Sequence, residues 1–172
     1  MDKSALHKLS YGLYVAGTRW EDGFCGCIVD ALVQAATMPL TIVLCSMKGG
    51  HTNAAIKKSG EFSLSVLPTD VDPFIIANFG FQSSRDINKW GNVFHTTLEG
   101  LPVLEKCAAS IACKVFDIKE LDSHTVFFAE VINAVKGEGK PLIYGDYLNG
   151  DLKKRTMEAF KAHRLRTAGK PN

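Results

Sequence analysis

Apolar residues along this chain come in short runs divided by turn residues, and most of the runs have the period of a strand. Residues 62–67 (Phe-Ser-Leu-Ser-Val-Leu) alternate strictly, which predicts a strand with one buried face. Residues 11–17 predict a first strand, ended by a turn at Glu21-Asp22-Gly23, and residues 27–36 and 40–45 read as further strands. Two more are predicted at 109–116 and 124–131, joined through a hairpin connection at 119–123. A helix opens at Thr52 and closes at Gly60, with Lys57 and Lys58 in its last turn, where the helix dipole favours cations. A second helix has Asp72 as cap and Pro73 at its first position, runs through Phe79 and ends at Gly80. Residues 83–89 lead into a loop. Asp151 starts a last helix in which Leu152, Met157 and Phe160 share an apolar face. Many short strands with a few brief helices, and no repeat or linker, predict one domain built as a closed or nearly closed β-barrel with helical excursions.

Composition narrows the function classes. A chain of 172 residues with 46% apolar content can bury a sizeable core. A net charge of +2 gives no concentrated basic face of the kind nucleic acid requires. The local exception is the end of the chain, where Lys153, Lys154, Arg155, Lys161, Arg164, Arg166 and Lys170 gather; a solvated helix and a docking site for an acidic partner are the two readings. Residues 1–8 carry no apolar signal-peptide core. Thr37, Pro39 and Thr41 interrupt the best candidate for a membrane span. Five cysteines, an odd count without an export signal, imply reduced thiols in a cytoplasm. Cys25 and Cys27 form the one close pair, and Cys107 and Cys113 do not repeat the spacing, so no metal site is expected.

The candidate chemistry lies in two hydroxyl-and-cation clusters. In the first, an apolar strand ends at Cys45, Ser46, Lys48, His51, Thr52 and Asn53, where a helix begins. Backbone N–H groups at a helix start, side-chain hydroxyls and a lysine are the donors that a phosphate needs. The second cluster, Ser83, Ser84, Arg85 and Lys89, has the same character, and two such clusters in a small domain suggest a phosphorylated cofactor. The alternative is that Thr52 only caps its helix and Arg85 pairs with Asp86 at the surface.

Across roughly residues 9–147 the pattern resembles the flavin reductase-like, FMN-binding split β-barrel family, which includes flavoredoxin and the flavoprotein part of high-molecular-weight rubredoxin. The likeness rests on the order and spacing of several segments. These are Asp22-Gly23 followed by residues 26–30, then Gln34, Pro39 and His51-Thr52. Residues 59–62, 65–67 and 79–86 with Lys89 come next, followed by 124–127, Glu130-Val131 and 140–144. The resemblance implies a mainly β fold, a split β-barrel with short helical excursions and a C-terminal helix. Residues 1–150 would form the FMN-binding domain, and 151–172 a basic helix or tail. It further implies a homodimer with one FMN per subunit near the interface, and electron transfer between NADH or NADPH, flavin and an acceptor such as a rubredoxin-like protein. The lack of G-x-G-x-x-G is no objection, since the family binds its nicotinamide nucleotide without a Rossmann unit.

On this resemblance the phosphate lies between Ser46, Lys48, Thr52 and Asn53 on one side and Arg85 and Lys89 on the other, with Cys45, His51, Ser83 and Ser84 alongside. The flavin ring then runs along Asp30, Ala31, Leu32, Val33 and Gln34; an ordinary barrel strand would look the same. His124 stands where the family often keeps a histidine near flavin or nicotinamide, which makes it the candidate catalytic residue, against a plain strand-start histidine. Asp30 replaces a common asparagine, and its charge would lower the flavin's reduction potential. Ser84 and Ala129 replace usual glycines, which would crowd the phosphate loop or the nicotinamide. Tyr144 and Tyr147 read as edge packing or interface residues. A flavin carrier without NAD(P)H activity, and a small barrel for another ligand, are the competing functions.

Overall fold

The computed structural model describes residues 1–168. Its strands are β1 (Tyr14–Trp20), β2 (Gly23–Val29), β3 (Leu32–Thr37), β4 (Leu40–Met47), β5 (Glu61–Val66), β6 (His95–Leu98), β7 (Leu101–Leu104), β8 (Ala109–Glu120) and β9 (His124–Lys136). Four α-helices accompany them: α1 (His51–Ser59), α2 (Pro73–Gly80), α3 (Tyr144–Asn149) and α4 (Asp151–Ala168). Seven strands form one antiparallel sheet in the order β2-β1-β5-β8-β9-β4-β3, and β6 with β7 makes a separate hairpin.

Residues 27–36, expected as one strand, are two. The chain leaves β2 at one edge of the sheet and enters β3 at the opposite edge across Asp30 and Ala31 alone. Two residues span only a few ångströms, so the sheet must curl until its edges nearly meet, leaving the seam of a split barrel. Asp30 O accepts from Leu32 N at 3.0 Å and Ala31 O from Cys45 N at 2.9 Å, which fixes the crossing.

Inside the barrel Leu44, Ile56, Phe62, Leu64 and Phe127 are fully buried and pack with Ala129, Cys113 and Ile42. A second cluster, with Leu13, Leu67, Ile76, Phe79, Trp90 and Leu104, joins the sheet to α2 and the β7 strand. Gly26 permits that join: a Cβ there would sit 2.8 Å from Ala16 O and 3.0 Å from the Trp90 indole nitrogen.

β5 was expected to bury one face and buries both, Phe62 through Ser65. Its second face packs on polypeptide backbone, which explains the serines. Ser63 donates to the carbonyls of Gly17 and Pro102, and Ser65 accepts from Leu104 N at 2.9 Å. The partner is the β6–β7 hairpin, which lies where only a loop was expected. Its signal was Glu99-Gly100, both at positive φ (52° and 72°) in a two-residue hairpin turn.

The helices follow their expected caps with two differences. α2 starts on Asp72, whose carboxylate accepts from Phe74 N at 2.9 Å. α1 ends at Gly60, left-handed at φ 71°. It begins one residue early, however: Gly50 is the N-cap, contributes no side chain, and Thr52 lies inside the first turn. In α4 the buried side is Leu152, Thr156, Phe160 and His163, while Met157 is 45% exposed, so the expected apolar stripe is corrected by one position. α3 was not foreseen, and Lys170 with the other last residues of the expected tail lies outside the described residues.

Candidate functional site

At the barrel seam lies a cleft of about 750 Å³, walled by β2 and β4 on one side, by the start of α1 at one end, and by α2 with the following loop on the other. The strand ends present Cys27, Asp30, Cys45 and Ser46, and α1 presents His51 and Thr52. The loop presents Ser83, Ser84 and Arg85, with Lys89 behind them, and His124 enters from β9. Ten of the expected site residues thus meet in one place, although they come from five separate segments.

The end formed by α1 is built for an anion. The first N–H groups of a helix have no intrahelical acceptor, and here no side chain caps them. Arg85 is exposed, and among the described residues its guanidinium has no carboxylate within 4.0 Å. The surface Arg85–Asp86 pair of the alternative reading is therefore not formed among the described residues. Ser83 shapes the loop by accepting from Arg85 N at 3.1 Å. His51 packs edge-on against Trp20 at 4.7 Å between centroids. Burial first, and then the neighbouring Arg85 charge, lower its pKa and favour the neutral ring.

Three of the expected phosphate ligands, Lys48, Asn53 and Lys89, are committed elsewhere. Lys48 points out of the cleft, pairing with Glu120 at 3.1 Å and donating to Leu121 O at 2.7 Å. Asn53 is buried; its amide donates to Ser46 O at 3.1 Å and its carbonyl oxygen accepts from Thr125, which locks α1 to β4 and β9. Lys89 borders the cleft, but its ammonium donates to Gly26 O and Phe79 O, both at 3.0 Å, and is 2% exposed. Desolvation lowers its pKa despite those two bonds. Ser84 reinforces the same point by donating to Gly26 O and accepting from Gly26 N. Lys89 and Ser84 therefore fasten the 83–85 loop to β2, and Ser84 does not crowd it. Ala129 is fully buried in the barrel core and likewise does not crowd the cleft.

The expected ring-lining stretch also differs in part. Asp30 lines the cleft, whereas Ala31, in the crossing, and Leu32, Val33 and Gln34, on the edge strand β3, do not line it. Gln34 and Val33 are exposed, and the Gln34 amide donates to Ala36 O. Apolar contact inside the cleft comes instead from Leu13, Ile28, Ile76, Phe79 and Phe81, and from Tyr144 and Tyr147, which stack at 6.1 Å. Of these, Leu13, Ile28 and Ile76 gave no site signal in sequence, since each reads as an ordinary core side chain until the elements dock, and the two tyrosines read only as packing residues. Burial raises the pKa of Tyr147, and both cleft thiols, Cys27 and Cys45, stay protonated for the same reason. His124 is half-buried, its Nδ1 2.8 Å from the Ser123 hydroxyl. Among the described residues no group of three or more potential ligands could hold a metal ion.

An uncapped helix start facing an unpaired arginine, at the end of an apolar slot in a barrel seam, fits an aromatic cofactor that carries a phosphate. Comparison with known proteins agrees. The flavin reductase like domain profile matches residues 6–150, and the chain belongs to that family. It is 34% identical over 150 residues to the ferric-chelate reductase (NAD(P)H) of Archaeoglobus fulgidus, covering 86% of this chain and 89% of that protein. It is 31% identical to the high molecular weight rubredoxin of Moorella thermoacetica, where the match spans 86% of this chain but only 66% of the longer relative. Among solved structures, flavin reductase PheA2 in its native state superposes with a TM-score of 0.72 at 24% identity, covering 83% of this chain and 93% of that one. The styrene monooxygenase flavin reductase of Pseudomonas putida S12 gives 0.71 at 23% identity, covering 81% and 88%. The chain is a flavin-dependent oxidoreductase with the split-barrel fold of this family.

Proposed function

We propose that the chain binds FMN in the seam cleft and transfers electrons from NADH or NADPH to an external acceptor. The observation that carries this reading is the anion end of the cleft, where the bare start of α1 faces Arg85. The phosphate would rest on the first N–H groups of α1, with Thr52, Ser46, Ser83 and Arg85 around it. FMN, when bound, accepts a hydride and passes electrons on, so the protein's task is to bind and orient rather than to supply an acid or base. Apolar walls from Ile76, Phe79 and Tyr144 would hold the ring and exclude water. Asp30 would place a negative charge beside it, and His124 would be a hydrogen-bonding group at the mouth.

The working unit in this reading is a homodimer. Val33, Leu40 and Met47 on β3–β4 and Phe116, Ile118 and Ile132 on β8–β9 are large apolar side chains left open to water in a single chain. An exposed apolar surface of this extent marks an interaction face. It adjoins the 31–34 stretch, so a second copy docked there would lie beside the cleft. Residues 1–150 would carry the cofactor, with α4 as a brace. Unbridged thiols suit the cytoplasm, and among the described residues no helix is long and apolar enough to cross a membrane.

The purified protein should take up FMN and turn yellow, and NADH or NADPH should bleach it under anaerobic conditions. Arg85→Ala should weaken FMN about ten- to a hundredfold, the loss expected for one charge-assisted contact of about 1.5–3 kcal/mol. Tight FMN without bleaching would make the chain a carrier reduced by another protein, a reading favoured by its similarity to a rubredoxin relative. Failure to bind FMN at all would refute the proposal.

A further inference from the structure

The six cations of α4, Lys153, Lys154, Arg155, Lys161, Arg164 and Arg166, face only Asp151 and Glu158 on the same helix. The helix is thus strongly positive, whereas residues 1–150 are net negative within a whole chain of +2. None of the six makes an ion pair with a carboxylate within 4.0 Å among the described residues.

Their placement is uneven. At about 100° per residue, Lys153, Arg164, Lys161 and Lys154 fall within one arc of about 100°, with Met157 in its middle. Both acids lie beyond that arc, on the shoulder with Arg155 and Arg166. The inner face of α4 is occupied, since Leu152 packs in the core, Thr156 is fully buried and His163 meets Phe74 at 4.8 Å. The basic arc borders Phe160, whose ring stands 5.5 Å from that of Phe81, and Phe81 lines the cleft. A half-exposed methionine ringed by lysines is therefore one aromatic pair away from the cofactor site.

We propose that this arc is the docking surface for an acidic electron-carrier protein that accepts electrons from the cleft. The inference rests on the flavin reading above and names the partner's surface chemistry. A ring of unpaired cations steers an acidic surface into encounter, and Met157 supplies the apolar centre of a small contact. The inner face of α4 is buried, and outward it shows only two large apolar side chains among the described residues, Met157 and Leu165. These are too few for a stripe that enters a bilayer, which favours a protein over a lipid surface. In the balanced reaction one NAD(P)H gives up a hydride, two oxidised one-electron carriers take one electron each, and one proton is released.

The test compares the FMN-loaded protein with the variant K153E/K154E/K161E, using an acidic rubredoxin as probe and a small uncharged quinone as control acceptor. Arg164 is left in place because it lies over the Phe160 ring. Rubredoxin reduction at low salt should fall about tenfold or more in the variant, and similarly in the wild type as salt rises to about 0.5 M. Anaerobic bleaching by NAD(P)H and quinone reduction should stay unchanged. Equal rubredoxin rates in variant and wild type would overturn the proposal, as would binding to phosphatidylserine vesicles in place of rubredoxin. Loss of FMN binding in the wild type is seen separately in the visible spectrum. In that event, direct rubredoxin binding by calorimetry, with and without the charge reversal, still decides the surface.

Discussion

Replacing Lys89 by methionine keeps an unbranched stem and removes the ammonium, which separates a structural clamp from a phosphate ligand. In the wild type that ammonium donates to Gly26 O on β2 and to Phe79 O at the end of α2. The surrounding ties all run through the same segment: Asn78 donates to Lys89 O at 2.8 Å, and Ser84 holds Gly26 by both its N–H and its C=O. A hydrogen bond from a charged donor contributes about 1.5–3 kcal/mol, so two give a gross loss of about 3–6 kcal/mol. Two effects oppose this. Methionine has no charge to desolvate, and Gly26 O keeps its bond from Ser84. We therefore expect a net destabilisation of about 1–3 kcal/mol, read as a fall in Tm of about 2–4 °C per kcal/mol in a chain of this size. FMN affinity should fall as well, because Ser83 and Arg85 ride on the loop that Lys89 anchors.

The same buried ammonium sets a pH signature. Its folded-state pKa lies below the ordinary 10.5, so the unfolded chain holds this proton more tightly. The penalty of burying the charge is fully present below the lowered pKa. It is relieved as pH rises from that value towards 10.5, so stability from this group increases across that window. Subtracting the Lys89→Met denaturation curves from those of the wild type should isolate the rise. A variant as stable as the wild type at neutral pH, with only FMN affinity reduced, would refute the clamp and return Lys89 to the phosphate.

Three further outcomes follow from the geometry. Asp30→Asn should raise the reduction potential of bound FMN, by about 30 mV for each 1.4 kcal/mol of repulsion removed, as read by anaerobic redox titration; an unchanged potential removes Asp30 from the flavin's neighbourhood. Phe62→Ala or Phe127→Ala, at fully buried positions in the barrel, should each cost about 3–5 kcal/mol in urea unfolding. Glu120 is held down to about 2 by hydrogen bonds from Lys57 and Lys48 and by their charges, so its contribution is present above the ordinary glutamate value of 4.5 and lost as pH falls through about 2. In Lys57→Met its carboxyl should titrate measurably higher by NMR, with little change in Tm because the pair is exposed to solvent.

The sequence by itself determined what local chemistry can determine. Alternation in 62–67 made β5, Asp72-Pro73 started α2, and Gly60 stopped α1, because periodicity, caps and positive φ act within a few residues. It also marked both anion clusters, since hydroxyls and cations beside a helix start are legible as neighbours. Only the tertiary structure decided which of those groups face the cleft. Lys48 and Lys89 have the same side chain, yet one is held outside by Glu120 and the other is sealed beneath Gly26 by the packing of α2 on β2. The seam at Asp30-Ala31 depends on the whole sheet curling, which no window of residues encodes. The apolar walls from Phe79, Phe81 and Tyr144, and the basic arc beside them, exist because distant elements dock. Burial and hydrogen-bond partners are properties of the assembled chain, and they assign each side chain its role.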